Sequence, residues 1–318
     1  MHLSRNRGLL ALILVLVSAA LLLYQGGLLD GPSPEPEPDA EPEPNPEPEP
    51  SPEPEVATIR VAAFNIQIFG QAKRGKTDVM EVLFRIAREF DVVLIQEIRD
   101  SSGETAPAYL AGINGLEGSP YAYVESPRLG RTSSKESYAY YWNTASVDYV
   151  EGSAYTYDDA RDVYEREPFI ASFTADGFDF TLIGVHTKPE ETRWEIGNLT
   201  QWPKSVLDAD PGEKDIIVLG DLNADGEYFD EEGPSPLKPE PYMWITGNTL
   251  DTMTKTDWTY DRMVITGATI HEYVEGSCTA FYFDNEYGLS GDIVAEVSDH
   301  YPVYAAFRVD LPDDYPHT

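Results

Sequence analysis

From Thr58 onward the chain repeats one theme, a short apolar run closed by polar residues. TIRVAAFNI (58–66) alternates in character and is rich in β-branched residues, which predicts a strand. DVMEVLFRIAREF (78–90) instead places Val79, Val82, Leu83, Ile86, Ala87 and Phe90 at helical spacing. Asp78, with Glu81 three residues on, predicts a capping box at the start of that helix. DVVLIQE (91–97) is a short apolar run ending in polar groups, as a buried strand does. Further strands are predicted at 137–142, 146–151, 168–174, 178–185, 215–220, 261–266 and 301–309, and a helix opens at Pro189 and runs through TRWEIGNL. REPFIASF and FDFTLIGV, joined by TADG, read as a hairpin. Strands outnumber helices and no internal repeat is evident. The fold class that follows is α+β, two packed sheets with helices outside.

The first 55 residues do not join this pattern. LLALILVLVSAALLLY (9–24) carries no charge and follows Arg5 and Arg7, so it reads as a targeting or anchoring segment. Ser18-Ala19-Ala20 offers a cleavage site for a secretory signal. The apolar character nevertheless continues to Leu29, long enough to tether the chain to a bilayer through residues 9–29. Either way the positive flank stays inside and the remainder is exported. Residues 31–55 alternate Pro with Glu and contain nothing to build a core, so they form an extended linker of roughly 75 Å at about 3.1 Å per residue. The organisation read from this is a signal or anchor at 1–30, a linker at 31–55 and one catalytic domain at 56–318.

Charge changes the picture of that domain. The chain has a net charge of −34, and without its first 55 residues it still holds 20 Lys and Arg against 46 Asp and Glu, a net of −26. Such a surface repels polyanions unless salt or divalent cations intervene. The bland reading is a solvated surface suited to a salty environment. Cys278 is the only cysteine, so no internal disulfide forms.

Five predicted strand ends carry polar groups: Asn65 in FNIQ, Glu97 in LIQE, His186 in GVHTKP, Asp221 and Asn223 in GDLNAD, and Asp299 with His300 in SDH. One such ending is ordinary loop chemistry, whereas several point to a single rim where strand ends gather. Glu97, Asp221, Asn223, Asp299 and Asn65 are hard oxygen donors of the kind magnesium or manganese takes, and no spacing suits zinc. His186 and His300 can move protons near neutral pH. Only His271 of the remaining interior histidines falls outside these motifs. Glu136 and Asp261 are candidates to fix the histidine tautomers. Equally, Glu136 reads as a solvated turn acid and Asp261 as a partner of Arg262.

At this point the chain resembles deoxyribonuclease I and its endonuclease/exonuclease/phosphatase superfamily. The likeness is carried by AAFNIQIFG, DVVLIQEIRD, LGRTSSKESYAY, REPF, GVHTKP, GDLNAD, TYDR, YGLS and SDHYPV, in order across 58–309. The resemblance implies a four-layer α/β/β/α sandwich of two mostly antiparallel sheets flanked by helices. It implies Glu97 as the metal carboxylate, with Asn65, Asp221, Asn223 and Asp299 around the same phosphate-and-metal site. His186 oriented by Glu136 and His300 oriented by Asp261 would be the acid/base pairs. Arg166 would contact the scissile phosphate, Arg99 would reach the minor groove, Arg131 would add a basic contact and Tyr260 would line the site. The expected cofactor is Mg2+ or Mn2+, the expected partner double-stranded DNA, and the expected enzyme an extracellular monomeric endonuclease leaving 5′-phosphates.

This sequence departs from its relatives in having neither of their disulfides. Structural Ca2+ at Asp162 with Glu167, and at Asp251, Thr254 and Thr256, would brace the same loops. Ser134 stands where the resemblance implies a DNA-contacting aromatic. Two alternatives stay open: a phosphodiesterase of the same superfamily acting on lipids or small phosphoesters, and a catalytically dead binding module. Arg99, Arg131, Lys135, Arg166 and Lys188 weigh against the first, and the presence of both histidines and both orienting acids against the second. Asn198 begins a glycosylation triplet.

Overall fold

The computed structural model describes residues 57–209, 212 and 214–312. The strands, in chain order, are β1 (Thr58–Phe69), β2 (Val92–Ile98), β3 (Tyr121–Glu125), β4 (Ser137–Asn143), β5 (Asp148–Tyr149), β6 (Tyr155–Thr156) and β7 (Phe169–Ala175). They continue as β8 (Phe178–Gly184), β9 (Ile216–Asp221), β10 (Tyr242–Trp244), β11 (Asp261–Thr266), β12 (Thr279–Ala280) and β13 (Val303–Arg308). The helices are α1 (Gln71–Arg74), α2 (Thr77–Ala87), α3 (Thr105–Ile113), α4 (Thr192–Asn198), α5 (Gln201–Ala209), α6 (Phe283–Tyr287) and α7 (Gly291–Val297).

Period-two alternation decides the layering. Along β1, Val61 and Ala63 enter a core shared by two sheets, while Ala62, Phe64 and Ile66 turn the other way, under Val79, Leu83 and Ile86 of α2. Along β9, Ile217 and Leu219 face the shared core, and Ile216 and Val218 pack beneath Ile196 and Trp202 of α4 and α5. The result is the four-layer α/β/β/α sandwich. One sheet runs β12-β13-β1-β2-β4-β3 and the other β10-β11-β9-β8-β7-β5, with β6 paired to β7. β1 with β2, and β8 with β9, are parallel pairs, and every other pairing is antiparallel.

Three local expectations change. Asp78 does not cap α2: the N-cap is Lys76, and Asp78 sits in the first turn, where its charge meets the positive end of the helix. The predicted strand 146–151 shrinks to the two residues of β5. Helices α3 and α5 escape the sequence reading because Pro107 and Pro203 interrupt their patterns, although proline is tolerated in a first turn. No helix among the described residues is long and apolar enough to cross a membrane. The apolar run 9–29 and the linker 31–55 lie outside the described residues.

Candidate active site

The topology puts the polar strand ends on one edge. β1 and β2 run parallel, as do β8 and β9, so Glu97, His186 and Asp221 stand at or just past C-terminal ends, and Asn65 stands where the regular pairing of β1 with β2 breaks. The antiparallel neighbours begin at that same edge: Asp261 opens β11 opposite Asp221, and β4 starts with Ser137 opposite Ile98, one residue after Glu136. β13 likewise starts just after His300, with Val303 opposite Ala63. Gln96 stitches the two sheets together there, donating to Val185 O at 2.5 Å and accepting from Asp221 N at 3.0 Å. Gly220 makes the seam fit: at φ +134° it has no room for a side chain, since a Cβ would fall 2.1 Å from Val185 O.

Two buried imidazole–carboxylate pairs face one another at this seam. His186 Nδ1 lies 2.7 Å from Glu136 Oε1, and His300 Nδ1 lies 2.8 Å from Asp261 Oδ2. Both acids are fully buried, which removes the reading of Glu136 as a solvated turn acid. Arg262 does not take Asp261: it donates to Asn248 Oδ1 and Ala224 O. Both Nε2 atoms converge on Asp221 Oδ2, at 3.5 Å from His186 and 3.6 Å from His300, so they lie within about 7 Å of each other. Burial would push both histidines down, but Glu136 holds His186 up, and Asp261 and Asp221 drive His300 up to about 10.

The oxygen donors gather around the same point. Asn65 Nδ2 bridges Glu97 Oε1 at 3.3 Å and Asp221 Oδ2 at 3.0 Å, so its amide nitrogen spaces the two carboxylates, while its Oδ1 accepts from Gln67 N. Asn223 uses its amide nitrogen on Thr187 O. Asp299 Oδ2 accepts from Gln67 Nε2 at 2.6 Å, and its Oδ1, like Asp261 Oδ1, is buried without a hydrogen-bond partner among the described residues. Asp221, Asp261 and His300 place ligand atoms within 4.8 Å of one another. Crowded carboxylates, with orphaned oxygens on Asp261 and Asp299, are the donor chemistry that suits a hard dication.

Backbone strain concentrates here. Of six non-glycine residues with positive φ among the described residues, Gln67, Ile68, Glu97 and Asn223 belong to this rim. A register shift between Asn65 and Phe69 makes the bulge, and Ile68 N donates to Glu97 Oε2 at 2.7 Å. Behind it, Lys73 is buried with its ammonium donating to Ile66 O and Val297 O, both at 2.8 Å. It thereby clasps the bulge to the segment entering Asp299. Burial lowers Lys73 to about 8, opposed by Asp299 and Glu97. Lys73→Met is expected to cost about 1–3 kcal/mol in urea unfolding, because it strands two buried carbonyls; an unchanged midpoint would contradict that role.

The expected substrate-contacting cations are not free. Arg166 Nε lies 3.1 Å from Glu136 Oε2 and its Nη1 donates to His186 O, which places it beside the first imidazole. Arg99 Nη2 lies 3.1 Å from Glu97 Oε2 and 3.6 Å from Glu136 Oε2. Arg131 is taken up by Glu191 at 2.6 Å, Glu165 at 3.5 Å and Asp162 at 3.9 Å. Tyr260 precedes Asp261 and stacks on Trp258, with 6.5 Å between ring centroids.

The calcium segments gather no ligand set of three acidic or imidazole groups among the described residues. Asp162 serves Arg131, Glu167 is half-buried and Thr256 is exposed. Asp251 Oδ1 accepts from Met253 N, and Thr254 binds the SDH turn directly, through Asp299 O at 2.8 Å and Ser298 O at 3.2 Å. That segment is braced by hydrogen bonds.

A profile of the endonuclease/exonuclease/phosphatase family matches residues 62–300, which brackets every site residue from Asn65 to His300. The chain belongs to that family. Deoxyribonuclease-1 of Bos taurus is 32% identical over 263 residues, covering 77% of this chain and 91% of the relative. Deoxyribonuclease-1-like 1 of Homo sapiens is 34% identical over 259 residues, covering 79% and 84%. Within the endonuclease/exonuclease/phosphatase family the chain is therefore a deoxyribonuclease I-like member and a phosphodiester hydrolase. Solved structures agree in fold: a family protein from Bacteroides vulgatus superposes with a TM-score of 0.57 at 15% identity, covering 80% of this chain and all of the other.

The sequence reading missed Gln67, Lys73 and Gln96. Gln96 left one signal, an amide at the end of a run that is otherwise all apolar.

Proposed function

We propose that this protein is an extracellular, divalent-cation-dependent endonuclease that hydrolyses double-stranded DNA with little sequence specificity and leaves 5′-phosphate ends. The observation that carries the reading is the pair of imidazoles converging on one carboxylate oxygen, each backed by a buried acid. The deoxyribonuclease names of its relatives supply the substrate. The apolar run 9–29 and the linker 31–55 support export or tethering.

Mg2+ or Mn2+ bound at Glu97, Asp221 and Asp299 would offset charge on the phosphorus as it becomes five-coordinate. One imidazole takes a proton from the attacking water and the other protonates the departing 3′ oxygen. Glu136 and Asp261 hold the Nδ1 protons, so that each Nε2 faces the substrate. Arg166, paired with Glu136 beside His186, would add positive charge next to a phosphate oxygen. Supercoiled plasmid with Mg2+ or Mn2+ tests this: nicked circles bearing 5′-phosphates are expected, and EDTA should abolish them. Intact plasmid, with cleavage of a lipid or dinucleotide ester instead, would overturn it.

Charge gives a second expectation. The net of −26 opposes DNA, and the rim cations are already paired with Glu97, Glu136, Glu165 and Glu191. Raising NaCl from about 10 to 150 mM shortens the screening length from roughly 30 to 8 Å. Nicking should therefore speed up over that range. A monotonic fall would show that a local cation patch governs binding.

A further inference from the structure

We propose that Ile68 is an apolar wedge that presses into duplex DNA beside the scissile phosphate and directs cleavage to deformable base steps. The inference rests on the nuclease reading above and adds a residue that fixes where the enzyme cuts. Ile68 combines two unfavourable features. It is β-branched at φ 52°, where such residues are genuine outliers, and the residue is 59% exposed. Neither feature helps the fold, since an exposed apolar group gains no burial and a glycine would hold this backbone without strain.

The surroundings hold the strained residue firmly in place. Ile68 N donates to Glu97 Oε2 at 2.7 Å, and the preceding Gln67 side chain donates to Asp299 Oδ2 at 2.6 Å. Arg99 N donates to Phe69 O at 2.8 Å, and a Cβ on Gly70 would come within 2.9 Å of Arg99 O, so the bulge is pinned on its far side as well. A backbone locked onto two metal-site carboxylates therefore leaves the isoleucine side chain in solvent at the mouth of the site. The Arg99 guanidinium shares the Glu97 oxygen that holds Ile68 N, at 3.1 Å, so a cation and the backbone that carries the apolar tip meet on one carboxylate.

That pairing matches what bends DNA. Apolar side chains enter between base pairs from the minor groove, while neighbouring cations hold the backbone. The cost of opening a step is lowest at pyrimidine–purine steps, which turns a wedge into a sequence preference made without reading bases.

Ile68→Gly and Ile68→Asn both suit positive φ, so each removes the apolar tip while keeping the bulge. Two rates should be measured on each full-length protein with Mg2+: plasmid nicking, and hydrolysis of bis(p-nitrophenyl) phosphate, which contains the ester but no duplex. The ratio of the first to the second is expected to fall about tenfold, and the preference for TA and CA/TG steps in a mapped duplex to flatten. An unchanged ratio with unchanged cut sites would overturn the proposal. So would an equal drop in both rates, which would mean that Ile68 acts only through Glu97. A wild-type protein that hydrolyses the small diester and leaves DNA whole would instead sink the nuclease reading itself.

Discussion

His300→Ala and His186→Ala are each expected to lower plasmid nicking by roughly 10²–10⁴-fold while the protein stays folded. Each imidazole is buried and anchored through Nδ1, so its only free nitrogen is the one facing Asp221. Alanine removes that proton carrier and leaves the opposing pair in place. The His186→Ala,His300→Ala double variant should be little slower than the worse single variant, because a base and an acid that serve one displacement act as a unit and lose their effect together. Far-ultraviolet circular dichroism with thermal melting would check the fold, and nicking under saturating Mg2+ the rate. A single variant that keeps the wild-type rate would remove that histidine from the chemistry.

Much of this rim was legible because the residues that make it close apolar runs. Asn65, Glu97, His186, Asp221 and His300 each follow or precede a strand recognisable by its side-chain pattern, and parallel pairing of β1 with β2 and of β8 with β9 brings those ends to one edge. What stayed hidden depends on contacts between distant segments. Nothing in QAKR marks Lys73 as a clasp, since its partners, Ile66 O and Val297 O, are backbone atoms that any residue would supply. Nothing in the sequence marks Ile68 as left-handed; it takes that conformation where Glu97, 29 residues on, accepts its N–H. Arg131 reads as a basic contact, and only the fold shows three carboxylates closing on it. Thr254 is hidden for the same reason: its hydroxyl and N–H reach the SDH turn across 44 and 45 residues of chain.

Glu136→Ala should be the most destabilising substitution at the site. Glu136 is fully buried and receives His186 at 2.7 Å, Arg166 at 3.1 Å and Arg99 at 3.6 Å, and these cations hold its carboxyl below the usual range against the effect of burial. Removing it leaves Arg166, almost as buried, facing His186 with no anion between them. Breaking a buried pair from one side costs about 3–5 kcal/mol, because the remaining charge is stranded. His186 should also lose its main support and titrate lower, since Glu136 is what raises it. Glu136→Gln separates the two contributions. Its amide fills the same space and keeps an acceptor for the imidazole N–H, so most of the fold stability should return. It carries no charge to stabilise the imidazolium, so nicking should remain depressed. Urea unfolding, with NMR titration of the His186 ring, measures both. Equal stability losses for the two variants would show that charge dominates shape at this position, and full activity in Glu136→Gln would remove the orienting role assigned to Glu136.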